Sequence, residues 1–207
     1  MKEDDVLLKV EKFVRKKISG YDSGHDWWHI MRVRKLAEYI NDKEQLEEPF
    51  LVDLAALLHD SADSKFTGDD PKNGYRMVEE FLQAVGMADL STRITDTMRN
   101  ISFSSKKLYG DITDPLLLIV QDADRLDAIG AIGVARAFNY GGFRNNLIYS
   151  PEGEQNKFST INHFYEKLLL LKSMMNTSTG KEMAKERHEF LEIFLKQFFK
   201  EWNPDFH

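Results

Sequence analysis

Apolar residues recur along the chain at intervals of three and four, the spacing that turns one face of an α-helix toward a core. Val6, Val10, Phe13 and Val14 form the first such stripe. A second helix is predicted from about Trp27 to Ile40, carrying Ile30, Val33, Leu36, Ala37 and Ile40 on its inward face. Asp26 stands just before it as an N-cap, because its carboxylate accepts from backbone N–H groups that lack a helical partner. A third, more apolar helix covers roughly Phe50 to His59, and the polar segment SADSKFTGDDPKNG after it reads as a surface loop. Further stripes predict helices at about Gly74 to Val85 and Ser91 to Ile101. Residues 115–138 are mostly Leu, Ile, Val and Ala. LLLIV alone would suit a buried strand, but the run continues into QDADRLDAIGAIGVARAF and so favours a long buried helix. Gly130 and Gly133 weaken that helix or split it in two. Beyond YGGFRNN and SPEGEQNK, helices from Asn162 to Met175 and from Thr177 to Trp202 follow. The pattern contains no repeat and no linker, so the expectation is a single all-α domain.

Composition narrows the function. The 207 residues include 28 basic and 34 acidic side chains, a net charge of −6, which argues against a broad electrostatic grip on nucleic acid. There is no cysteine, which excludes disulfides, thiolate-bound zinc, iron–sulfur clusters and a cysteine nucleophile. That absence fits a reducing cytoplasm. The segment MKEDDVLLKVEKF lacks the apolar core of a signal peptide, and the aliphatic run Leu116–Val120 is too short to span a bilayer. A cytoplasmic protein without membrane or nucleic-acid partners is expected, as a monomer or a homodimer.

Polarity breaks the apolar pattern at three places. His29 shares the stripe of Val33 and Leu36, His59 that of Ala55 and Leu51, and Asp124 that of Val120 and Leu117. Each alone has an ordinary explanation: a satisfied core histidine, a helix end, an aspartate paired with the neighbouring Arg125. Two histidines and a carboxylate aimed inward from three helices ask for one explanation, because a buried carboxylate is costly without a cation. One divalent metal ion supplies it. His29, His59, Asp60 and Asp124 would form a mixed N/O set suited to Mn²⁺, Mg²⁺, Fe²⁺, Ni²⁺, Co²⁺ or Zn²⁺. An octahedral ion would keep two positions for water and substrate.

The ordered pattern D26-x-x-H29-x-x-R32-V33, H59-D60-x-x-D63-x-K65 and D122-A-D124-R-L-D127 resembles the HD-domain superfamily of metal-dependent phosphohydrolases. AIGAIGVARAFNYGG and the tail NTSTGKEMAKERHEFLEIFLKQFF resemble its small stand-alone bacterial branch. The resemblance implies an HD-type helical bundle over residues 1–207, with the metal site between core helices. Its motif core would lie at about 25–130, with C-terminal helices at about 160–203 packed on it. It also implies a catalytic role for Asp60 and for Asp63, the latter orienting or deprotonating the attacking water, and places Lys65 near phosphate. No histidine lies between His59 and His163, so one metal is expected, manganese first, rather than the two or three of HD phosphodiesterases. Ala128 stands where the superfamily's guanosine-tetraphosphate hydrolases carry Asn.

The implied chemistry is hydrolysis of a phosphate ester or anhydride of a small molecule, a nucleotide above all. The sharper expectation is a (deoxy)nucleoside triphosphate pyrophosphohydrolase. A nucleoside monophosphate phosphatase using the same metal site is the alternative, and a non-catalytic nucleotide-sensing module is the competing class. Arg32, Lys65, Arg125 and His25 are the expected substrate contacts, with Lys106 and Lys107 on a nearby rim. Trp27 and Trp28 would stack on a base or simply pack, and His188 reads as structural.

Overall fold

The computed structural model describes residues 2–18, 26–62, 71–101 and 113–203, and every element among them is helical. The chain divides into two compact units, Met1–Ala123 and Asp124–His207.

In the first unit α1 (Glu3–Ile18), α2 (Trp27–Glu44), α3 (Pro49–Leu58), α4 (Pro71–Ala84) and α5 (Ser91–Asn100) precede the stem of α6 (Pro115–Asp127). α3 is the hub and packs against α1, α2 and α5. Its composition explains this: Leu51, Val52 and the whole run Leu54–Leu58 are buried, which no single face could accommodate. Arg34 of α2 ties three helices together, reaching Glu11 of α1 at 3.0 Å, Glu38 at 2.9 Å and Asp53 of α3 at 2.7 Å. At the entry to α6, Asp114 accepts from Leu116 N at 3.0 Å and from Arg93 at 2.7 Å.

The second unit holds the end of α6, then α7 (Gly130–Phe143), α8 (Gly153–Asn156), α9 (Thr160–Glu166), a 3-10 segment (Leu168–Met174) and α10 (Ser178–Trp202). The long apolar run is indeed split. Ile129 is extended and Gly130 takes φ +76°, a conformation that costs glycine nothing. α7 packs on α10 and α9, around Phe138, Phe164, Phe194 and Phe198. The expected Asn162–Met175 helix is α-helical only to Glu166 and continues as a 3-10 turn. Among the described residues, no helix is long and apolar enough to cross a membrane.

Candidate metal centre

The site begins at the start of α2. Asp26 is extended, and its Oδ1 accepts from the His29 amide at 2.8 Å, so the predicted cap holds the residue whose side chain matters. One helical turn of capped backbone therefore fixes where the His29 ring enters the core, and the residue is fully buried. His59 follows the last residue of α3 and keeps helical φ and ψ of −50° and −39°, so its ring still projects from the inward face. Its Nδ1 lies 2.8 Å from the Ala56 carbonyl. A carbonyl can only accept, so the ring proton sits on Nδ1 and the Nε2 lone pair is directed away from it.

The two Nε2 atoms lie 3.3 Å apart, with the rings inclined at 73°. The Asp60 carboxylate brackets them, Oδ2 at 3.4 Å from His29 Nε2 and Oδ1 at 3.4 Å from His59 Nε2. Asp124 sits past the middle of α6. His29, His59 and Asp124 each offer one ligand atom, all within 4.8 Å of one another. This donor set fits a divalent ion: two neighbouring ligands at metal–nitrogen distances of about 2.1 Å stand roughly 3.0–3.4 Å apart.

Two features around these residues were not singled out from the sequence. Gly74, in the first turn of α4, lies against the turn that follows the His-Asp pair; a Cβ there would come 2.6 Å from Ala62 Cα. The end of α6 is held by arginines: Arg136 donates to Asp127 at 2.8 Å, and Arg187 donates to the Leu126 carbonyl. Asp127 is buried, a signal that its place in the DADRLDA run could have provided. Asp122 of the same run is buried as well.

Among the expected substrate contacts, Arg32 is half-buried on α2, one turn beyond His29. Arg125 is buried, and its guanidinium donates to the Met174 carbonyl. His25, Asp63, Lys65, Lys106 and Lys107 lie outside the described residues. Trp27 is half-buried, with the Arg15 guanidinium 3.9 Å above its ring, while Trp28 is exposed.

The HD domain model matches residues 27–129, a span that contains His29, His59, Asp60 and Asp124. YpgQ of Bacillus subtilis (strain 168) is 38% identical over 205 residues, 97% of this chain and 96% of YpgQ. The crystal structure of YpgQ in complex with ADP is similar with a TM-score of 0.77 at 36% identity, covering 96% of this chain and 98% of that one. An HD-superfamily hydrolase from Bacillus thuringiensis gives a TM-score of 0.78 at 38% identity, over 99% of this chain and 100% of that one.

Proposed function

This chain belongs to the HD domain superfamily of hydrolases, and on that premise we propose that it cleaves (deoxy)nucleoside triphosphates to monophosphate and pyrophosphate, with one divalent ion held by His29, His59, Asp60 and Asp124. The observation that carries the reading is the pair of buried imidazoles whose Nε2 atoms converge beside the Asp60 carboxylate. The ADP bound by YpgQ supports a nucleotide as the substrate class. Nitrogen and oxygen donors together suit manganese.

When bound, such an ion lowers the pKa of a coordinated water and polarises a phosphoryl oxygen. The side chains supply position and proton transfer. The Ala56 carbonyl holds the His59 ring in one tautomer, so its Nε2 is aimed without rearrangement. Asp60, between the two rings, orients the nucleophile, and Asp63 carries its proton away. Arg32, Lys65 and Arg125, whose guanidinium also donates to the Met174 carbonyl, are the cations that meet the phosphates, with His25 as a further contact.

The test is a metal-by-nucleotide screen on stripped and reloaded protein, with phosphate and pyrophosphate resolved as separate products. Monophosphate plus pyrophosphate from a triphosphate is the expected outcome. Phosphate released from a monophosphate would put a phosphatase in its place, and metal binding without turnover on any nucleotide would leave a sensor.

A further inference from the structure

α10 presents two faces. Gly180, Ala184, Leu191 and Leu195 form its buried stripe. On the other face Glu186, Ile193 and Lys200 stand at i, i+7 and i+14, nearly in line, with Glu189, Phe190 and Lys196 beside them. All six are exposed, Ile193 to 65% and Phe190 to 41%. Single apolar side chains at a surface are ordinary. These two are neighbours at i and i+3, and they separate charge of opposite sign. Toward the N-terminus the face is acidic, through Glu182, Glu186 and Glu189, and toward the C-terminus it is basic, through Lys196 and Lys200.

That segregation is unfavourable within one helix. Glu182 and Glu186 are like charges at i and i+4, as are Lys196 and Lys200, and such pairs destabilise where mixed signs would stabilise. The helix dipole does not account for the acidic block. Its field falls off within the first turn, and there α10 has no acidic residue. Neighbouring helices do not account for it either: Glu186, Glu189, Lys196 and Lys200 make no ion pair among the described residues.

An acidic block, an apolar centre and a basic block are self-complementary when a second helix runs antiparallel to the first. A two-fold axis through Ile193 brings together residues placed symmetrically about it. Ile193 then meets its own copy, Glu186 meets Lys200, and Glu189 falls beside Lys196, each charge pair forming twice. A parallel pairing would set every block against its own sign. From this pattern we infer that the outer face of α10 docks a second copy of this chain, giving a two-fold homodimer with antiparallel α10 helices. Flanking charges set the orientation, and burial of Phe190 and Ile193 supplies the attraction. One helix pair is a small interface, so a dissociation constant in the micromolar range is expected. None of these residues belongs to the metal centre, so the contact stands whether or not the proposed reaction does.

Sedimentation velocity of the full chain from about 1 to about 100 μM tests this. The wild-type protein is expected to pass from monomer to dimer over that range, and to do so less readily in high salt. Glu186→Lys/Glu189→Lys makes the charged positions all basic, and Lys196→Glu/Lys200→Glu makes them all acidic. Each double variant should dimerise roughly tenfold more weakly or worse, with unchanged far-UV circular dichroism. Mixing the two should restore the dimer as a hetero-pair, which misfolded chains could not do. Ile193→Asp should stay monomeric throughout. A wild-type protein that is monomeric at the highest concentration, a dimer whose affinity the charge reversals leave intact, or reversed variants that fail to pair on mixing overturns the inference.

Discussion

His59 is the residue on which most of the proposed chemistry converges: it is buried, fixed in one tautomer by Ala56, and 3.3 Å from His29. His59→Ala should abolish metal binding and turnover while leaving helical content largely intact, because α3 ends before it. Metal content after reloading and far-UV circular dichroism check the two halves of that statement. Asp60→Ala should behave in the same way. Gly74 presents the opposite case, a residue with no side chain whose effect is entirely steric. A Cβ at 74 would overlap the Ala62 backbone, so Gly74→Ala should cost about 1–3 kcal/mol by overpacking. It should also displace the turn beside the His-Asp pair, and denaturant melts of the variant together with its metal affinity measure both effects. The inward direction of His29 and His59 was legible from spacing alone, since a helical period fixes which face a residue occupies. The clearance at Gly74 was not, because it depends on α4 meeting the turn at Ala62 at backbone distance, a tertiary approach that no helical period encodes.

At the level of elements, α2 and its Asp26 cap could be read directly, since the cap, the stripe and the histidine all lie within one local window. α4 begins at Pro71, earlier than its apolar stripe suggests, because a proline at the first helical position is preorganised for the helix even in a polar stretch. The run Leu168–Leu171 is apolar on every face, so periodicity alone could not distinguish an α-turn from the 3-10 turn that forms there. The end of α6 was opaque for a different reason. Its arginine partners come from α7 and α10, and a sequence does not show which cation will reach which carbonyl. Arg136→Met would leave the buried Asp127 carboxylate without its 2.8 Å partner. Breaking a buried pair of this kind costs roughly 3–5 kcal/mol, and the lower end is expected because Arg187 also faces Asp127 electrostatically. A fall in the midpoint of thermal unfolding checks this.

For the whole molecule, the titrating groups set how stability responds to acid. Burial holds the His163 imidazole below its usual value of 6.5. Below pH 6.5 the unfolded chain takes up a proton that the fold resists, so this contribution is complete above 6.5 and drains away as pH falls toward the depressed value. Asp114, lowered from 3.8 by its hydrogen bond with Arg93, follows the same rule at more acidic pH. Glu38 acts in reverse: burial and the neighbouring Asp53 raise it above 4.5, so its contribution is present at low pH and lost as pH rises through the raised value. Urea unfolding at pH 5.5 and 7.5 should show the wild-type protein weaker at the lower pH and His163→Gln less sensitive to the change. Trp27 gives these experiments an optical window. The chain has three tryptophans, and Trp28 and Trp202 are exposed, whereas Trp27 is half-buried beneath the Arg15 guanidinium. It lies two residues before His29, about 3 Å along the helix axis. Its indole emission should therefore change as the site fills, over a nearly constant background from the other two, so that the protein reports its own metal occupancy without an added dye.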